Sequence, residues 1–424
     1  MARFFYTLFF YLAQPLVWLR LFWRASKQPE YLQHVGERYG FYAQPVPAAL
    51  LWLHTVSVGE TRAAEPLIRA LLDTYPDHSL LLTHMTPTGR AAGGELAAKF
   101  GERLMQAYLP YDLPDACGRF FDHFQPRLGL LMETELWPNL IAGASRRGIP
   151  MALVNARLSA RSQRGYQRFL SLIRPALRAL SVVAAQTPAD AQRLESLGAA
   201  SVCVSGNLKF DVAPSPEKLQ LGREWRDKLG SRPVWVFASS RDGEEGAVID
   251  AFLRMDRPEL LLVLVPRHPQ RFNEVAGLLV QRKLAFCRRS AGEFPEPSTR
   301  VWLGDSMGEM PAYFALADVA LIGGTLLPFG GQNLIEAAAC GCPVLVGPHT
   351  FNFAQATEDA IAVGAALRVE EAEAAAVEAG RLLGHREELQ KMRDAAIGFS
   401  QAHRGATART VALVQEITAL RKAD

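Results

Sequence analysis

The chain has 424 residues, 49% of them apolar and 21% charged, with a net charge of +3. That length exceeds one ordinary hydrophobic core and points to two domains of roughly 150–200 residues each, while the small net charge gives no basis for a nucleic-acid partner. The five cysteines are dispersed without a C-x-x-C pair and the nine histidines lack metal-ligand spacing, which argues for a reducing compartment and against a structural zinc site.

Residues 1–24 stand apart: Phe4 to Leu19 holds seven aromatics and no charge, and Arg20, Arg24 and Lys27 follow. No small-residue cleavage site follows the apolar run, so a removable secretory signal is not the reading. The run is slightly short for a full span, which takes roughly 20 residues. It either crosses with a modest mismatch or lies in the interface with its arginines at the headgroups. With more basic residues after it than before it, the bulk of the chain is expected on the cytoplasmic side. Residues 1–24 are read as a membrane anchor.

Residues 25–48 read as a connecting segment. From Ala49 apolar runs at Leu50–Leu53, Leu80–Leu82, Leu128–Met132, Met151–Val154 and Val182–Ala185 alternate with helical patterns near Glu60–Leu72, Arg90–Phe100, Asp115–Phe124, Leu136–Arg147 and Ala189–Leu197. Near-continuous apolar strands spaced by helices mean a parallel sheet covered on both faces. A short strand, Val202–Val204, precedes Lys209. Residues 212–216, with two prolines, read as a linker. The rhythm restarts with strands at Val234–Ala238, Leu260–Val265, Val301–Leu303, Val319–Ile322 and Pro343–Val346, and the residues from about 370 onward are helical in pattern. The fold class is α/β, two doubly wound domains.

Such domains bind ligands at the carboxyl ends of their strands, so the residues just after each strand are the candidates. Ser57-x-x-Glu60 follows the first. It reads equally as a capping box, the serine capping the helix and the glutamate reaching back to the serine N–H, or as a general base, its pKa lowered by the helix start. Glu133 and Glu135 follow the third strand: they either favour the positive end of the next helix, or one of them shapes a site of developing charge. Arg157 and Arg161, four apart, either hold an anionic acceptor or form a solvated face. Lys209 is placed to stabilise a departing phosphate. In the second half Arg267-His268 follows a strand and suits phosphate, Gly304–Met310 opens a helix as a candidate anion nest, and a glycine-rich loop after Ile322 leads to a helix entered near Asn333. Glu336 lies one turn after Asn333, so both can face one ligand. Donor loops in one half and carboxylates in the other suit a group transferase.

These residues carry a resemblance that covers essentially the whole chain. SVGE at Ser57–Glu60, MTPTG at Met85–Gly89, YLPYDLP at Tyr108–Pro114, METELWPNLI at Met132–Ile141, NARLSARS at Asn155–Ser162, LKFD at Leu208–Asp211, VPRHP at Val265–Pro269, GDSMGE at Gly304–Glu309 and GPHTFNF at Gly347–Phe353 resemble the bacterial Kdo transferases. These are membrane-associated glycosyltransferases of the GT-B fold, with two Rossmann-like domains facing a cleft. The resemblance implies transfer of 3-deoxy-D-manno-octulosonic acid (Kdo) with inversion from CMP-Kdo to the lipid A precursor lipid IVA, without metal or cofactor, at the inner membrane surface with the catalytic domains cytoplasmic. It implies Glu60 as general base, Glu133 and Lys209 as stabilisers of the transition state, and CMP contacts from Arg267, His268, Gly308, Glu309, Met310 and the run Asn333, Leu334, Ile335, Glu336. It divides the chain into an anchor (1–24), an acceptor-binding domain (25–211), the linker, a donor-binding domain (217–400) and a helix returning to the first domain (401–424). The family often has His before the Asn; Gln332 stands there, so no contact is assigned to that side chain. The rival reading, a GT-B enzyme using a UDP-sugar on another lipid or glycan, is separated by donor competition between CMP and UDP.

Overall fold

A strand covered on both faces needs no polar alternation, and the leucine-, valine- and alanine-rich runs of the sequence form two sheets of that kind. The computed structural model describes residues 1–420. Contacts divide the chain into two units, Met1–Val212 with the segment from Arg404 onward, and Ala213–His403.

In unit 1 the strands are β1 (Leu50–His54), β2 (Ser79–His84), β3 (Leu104–Tyr108), β4 (Leu128–Met132), β5 (Met151–Ala156), β6 (Val182–Ala185) and β7 (Val202–Val204). All pair in parallel in the order β3-β2-β1-β4-β5-β6-β7, so the order reverses at β1/β4. The two-residue side-chain period sends Leu51 and Leu53 to one core, with Leu67, Ile68 and Leu71 of the helix Val58–Thr74. Leu50 and Trp52 go to the other, with Phe120 and Phe121 of Pro114–Phe124 and Leu140 of Pro138–Arg146. The helix Ala406–Leu420 adds Ala406, Val411 and Val414 to the first core. Asp211 fixes its start by accepting from the N–H groups of Gly405 (2.6 Å) and Thr407. Residues 421–424 of the expected returning segment lie outside the described residues, and the helix Arg386–Ala402 belongs to unit 2.

The N-terminal residues form two helices, Ala2–Leu12 and Gln14–Ala25, bent by 51° at their junction. Their polar side is tied to unit 1, Tyr6 donating to Asp112 (2.9 Å) and Thr7 to Asn139 (3.1 Å). Phe4, Phe5, Phe9, Leu12, Leu16, Leu19, Phe22 and Trp23 are exposed. Among the described residues no single helix is long and apolar enough to cross a membrane; the bent pair meets that test only together.

In unit 2 the strands are β8 (Val234–Ser240), β9 (Leu261–Pro266), β10 (Phe286–Arg288), β11 (Val301–Leu303), β12 (Val319–Ile322), β13 (Val344–Val346) and β14 (Ala366–Arg368). They too are parallel, in the order β10-β11-β9-β8-β12-β13-β14, reversing at β8/β12. The helix Pro216–Leu229 opens at Pro216, the last residue of the expected linker, and crosses Met310–Leu316 closely at Gly222. A Cβ there would lie 2.4 Å from the Ala312 carbonyl oxygen.

Three strands have no counterpart in the expected pattern: β3, β10 and β14, each at a sheet edge. Each is partly exposed and carries a polar residue, Gln106, Arg288 or Arg368, so its sequence lacks the continuous apolar run that marks central strands.

Candidate active site

Both switch points carry chemistry. In unit 1 the helix after β1 is capped by Ser57, whose Oγ accepts from the Glu60 N–H (3.3 Å). The Glu60 carboxylate accepts from the Val56 N–H (2.8 Å) and the Ser57 hydroxyl (3.0 Å). It thus reaches one residue further back than the expected Ser57 N–H. Behind this loop Thr61 donates to the Ser57 carbonyl (3.0 Å) and pairs with Thr55 (2.9 Å), so the loop is held from beneath.

Beyond β4, Glu133 is buried at 5% exposure and takes φ = +56°, a left-handed conformation costly for a side-chain-bearing residue. Its N–H donates to the Val154 carbonyl (3.1 Å). Its carboxylate accepts from Arg157 Nε (2.7 Å) and Lys209 Nζ (3.4 Å). The Lys209 segment is set by two asparagines: Asn155 Oδ1 accepts from the Leu208 N–H and Asn207 Oδ1 from the Lys209 N–H, each at 3.0 Å. Glu135 accepts from Trp137 Nε1 (2.8 Å).

Three carboxylates therefore share one place with two cations, and two of them, Glu60 and Glu135, have shifted proton affinities. Burial and then the Glu133 charge raise the Glu60 pKa above the ordinary range, against the bonds from Val56 and Ser57. The sequence-based expectation of a lowered value is corrected: desolvation and like charge outweigh the helix start. Burial, then Glu60, push Glu135 up to about 7.

In unit 2 the glycine loop between β12 and the helix Leu334–Ala339 is zipped to its neighbours. Gly330 and Gly331 take φ of +90° and +82°. A Cβ on Gly330 would lie 2.4 Å from Phe351. Asn333 caps the helix, accepting from the Ile335 N–H (3.2 Å); Leu334 and Ile335 are buried, and Glu336 is half-exposed one turn on. After β9, Arg267 and His268 are exposed, and His268 Nε2 lies 3.0 Å from Arg241 Nη1. Burial, then Arg241 and Arg267, lower the His268 pKa. Among the described residues no group of three or more His, Cys, Asp or Glu is placed to hold a metal ion.

The profile of the family described as 3-deoxy-D-manno-octulosonic-acid transferase (kdotransferase) matches residues 33–212. The 3-deoxy-D-manno-octulosonic acid transferase of Bordetella pertussis is 47% identical over 98% of this chain and 99% of its own length. The chain belongs to the Kdo transferases. The Haemophilus influenzae enzyme of the same name is 39% identical, with 98% of both chains covered. A glycosyltransferase from Rickettsia africae shares the fold: TM-score 0.61 at 14% identity, covering 87% of this chain and 98% of that one. Two Rossmann-like domains of the GT-B type are thus the architecture of this Kdo transferase.

Of the residues singled out in this transferase, Glu60, Glu133 and Lys209 are brought together. Arg157 joins them through Glu133, whereas Arg161 stands exposed on the helix Ala160–Arg168. The two arginines do not act as a pair. Gly308 takes φ = +75° just before Met310 opens its helix. The Glu309 side chain is committed internally: Ser306 donates to it (2.6 Å) and Arg289 grips both oxygens (3.0 and 2.9 Å). Burial opposes its ionisation, but these bonds outweigh burial and hold its pKa below the usual range. Its carboxylate is thereby withdrawn from ligand contact, and what the turn can offer is backbone. One residue escaped the sequence-based candidates, Arg241 beyond β8, while Glu135, already named with Glu133, joins the carboxylate group. The signal for Arg241 was its position directly after a central strand.

Proposed function

We propose that this transferase moves Kdo from CMP-Kdo to a lipid A precursor, with unit 1 supplying acceptor chemistry and unit 2 holding the nucleotide. The observation that carries the reading is the convergence of Glu60, Glu133 and Lys209 at the carboxyl ends of unit 1's strands, in a chain of this family. Glu60 takes the proton of a sugar hydroxyl as its oxygen bonds to the anomeric carbon of Kdo. The bond to the phosphate oxygen breaks and CMP leaves with that electron pair, inverting the centre. A carboxylate whose pKa is raised by burial and a neighbouring like charge is a stronger base than an ordinary one. Beside it Lys209 and Arg157 both donate to the Glu133 carboxylate, which fixes the charged groups of the centre in place as charge redistributes.

On the donor side Arg267 and His268, the backbone at Gly308, Glu309 and Met310, and the Asn333–Glu336 turn are the CMP contacts. Glu336 is placed for the ribose hydroxyls. Residues 1–24 anchor the enzyme at the cytoplasmic face of the inner membrane, which suits exposed aromatics on helices whose polar side is tied down. Residues 25–211 form the acceptor domain, 217–400 the donor domain, and the segment from 401 returns to the first.

The test is mass spectrometry of lipid product from CMP-Kdo and a lipid A precursor, wild type beside Glu60→Gln. Kdo-bearing lipid from the wild type, reduced about 10²- to 10⁴-fold in a folded Glu60→Gln, is expected for loss of a general base. Equal product from both returns Glu60 to a capping role. No product from folded wild type rejects the proposal.

A further inference from the structure

Arg241 opens the loop after β8, at the switch point of unit 2, where the strand order of a doubly wound sheet leaves a crevice. The loop is built tightly. Ser239 takes φ = +57° and Gly243 +89°, and the 1%-exposed Glu244 accepts from the N–H groups of Arg241 (3.0 Å), Gly324 (2.7 Å), Leu326 (3.0 Å) and Leu327 (3.3 Å). One carboxylate thus fixes both the Arg241 backbone and the glycine loop beneath it.

The acids that could neutralise the Arg241 side chain are taken. Asp242 and Glu245 both pair with Arg271, at 2.8 and 3.1 Å, and Glu244 is spent on the backbone. Among the described residues the Arg241 guanidinium has no carboxylate partner; it lies over the Phe329 ring (4.6 Å) with Nη1 3.0 Å from His268 Nε2. Arg241 is always a donor, so Nε2 accepts and the imidazole is neutral. Arg241 and Arg267 flank that one imidazole. The structure therefore sets two guanidinium groups near each other, one of them held flat by an aromatic ring and awaiting an anion.

We propose that Arg241 binds the carboxylate of the donor sugar, beside the phosphate held at Arg267 and His268. The inference rests on the CMP-Kdo reading above. In such a donor the carboxyl group and the phosphate oxygen sit on the same anomeric carbon, so two negative groups arrive side by side and call for two adjacent cations. A planar guanidinium matches a carboxylate at two points, and one already ordered on Phe329 loses little freedom in doing so. A neutral sugar on the same nucleotide would leave Arg241 unpaired, which makes this residue a selector for acidic sugars.

The experiment compares full-length wild type, Arg241→Met and Arg241→Lys in detergent, measuring KM for CMP-Kdo and the inhibition constant of CMP alone. Arg241→Met is expected to raise KM about 10- to 100-fold while CMP inhibition stays within about threefold, as for loss of one charge-assisted pair. Arg241→Lys should fall between. Parallel weakening of CMP and CMP-Kdo, including any through a damaged loop, overturns the assignment, as does no change in either. Either result with an active wild type removes only Arg241's role. A wild type that neither binds CMP nor uses CMP-Kdo removes the donor reading itself, and this inference with it.

Discussion

Glu135→Gln should stabilise this enzyme, and only above a certain pH. Glu135 titrates at about 7 instead of the ordinary 4.5 because it is buried and sits near Glu60 and Glu133. The folded state therefore binds its proton more tightly than the unfolded chain does. Between pH 4.5 and 7 the unfolded state carries fewer protons, so stability falls as pH rises through that window and the full cost is present above it. At about 1.36 kcal/mol per tenfold in proton affinity, that cost is roughly 3 kcal/mol, and local relaxation brings the expected gain to about 1–3 kcal/mol. Glutamine keeps an oxygen for the Trp137 N–H and replaces the carboxylate by a neutral group of the same shape. Thermal unfolding followed by circular dichroism should show the variant melting roughly 2–10 °C higher than wild type at pH 8 and nearly level with it at pH 5. An equal shift at both pH values, or a loss at pH 8, would refute the argument that like charge and burial set this carboxyl.

Other perturbations follow from the same geometry. Lys209→Met strips a 5%-exposed Glu133 of one of its two cations and should cost roughly 1–3 kcal/mol in unfolding free energy; adding Glu133→Gln should recover most of the stability but not the lost transfer activity. Urea titration of the single and double variants, with activity alongside, checks both halves. Gly330→Ala forces φ = +90° on a residue with a Cβ that has no room beside Phe351 and Asn352, so CMP affinity by calorimetry should drop at least about threefold and the melting temperature should fall. Phe5→Ser with Phe9→Ser removes two exposed rings from the first helix, and co-sedimentation with anionic vesicles should weaken while CMP affinity is unchanged.

The sequence made the centre of each sheet readable, because β1, β4, β8, β9 and β12 are buried on both faces and written in apolar residues. Reading the residues after the strands was enough to single out Glu60 after β1, Glu133 after β4 and Lys209 after the edge strand β7. Of the four edge strands β7 was readable as an apolar triplet, whereas β3, β10 and β14 stayed hidden because Gln106, Arg288 and Arg368 break their apolar runs. What a linear reading lacks is the company each group keeps. The helix start next to Glu60 is local and argued for a lowered pKa; burial by the fold, and then the Glu133 charge from beyond another strand, reverse the sign. Glu309 looked like a ligand contact until Arg289, twenty residues away, closed over its carboxylate. Arg241 sits in Ser239–Glu245, a run with three acids beside a basic residue, and would be taken as internally neutralised. Only the capture of Asp242 and Glu245 by Arg271, and of Glu244 by backbone N–H groups, leaves it uncompensated.

The helix Ala406–Leu420, held by Asp211 and packed over Leu67, Ile68 and Leu71, imposes an order on biosynthesis. The strands of unit 1 are translated first, yet one face of their sheet receives its last cover only after all of Ala213–His403 has left the ribosome. At about 5–20 residues per second the wait is on the order of 10–40 s, long compared with collapse of a chain this size. During that interval the part of the core completed by Ala406, Val411 and Val414 is open on the nascent chain, which makes unit 2 the first part able to reach its final form.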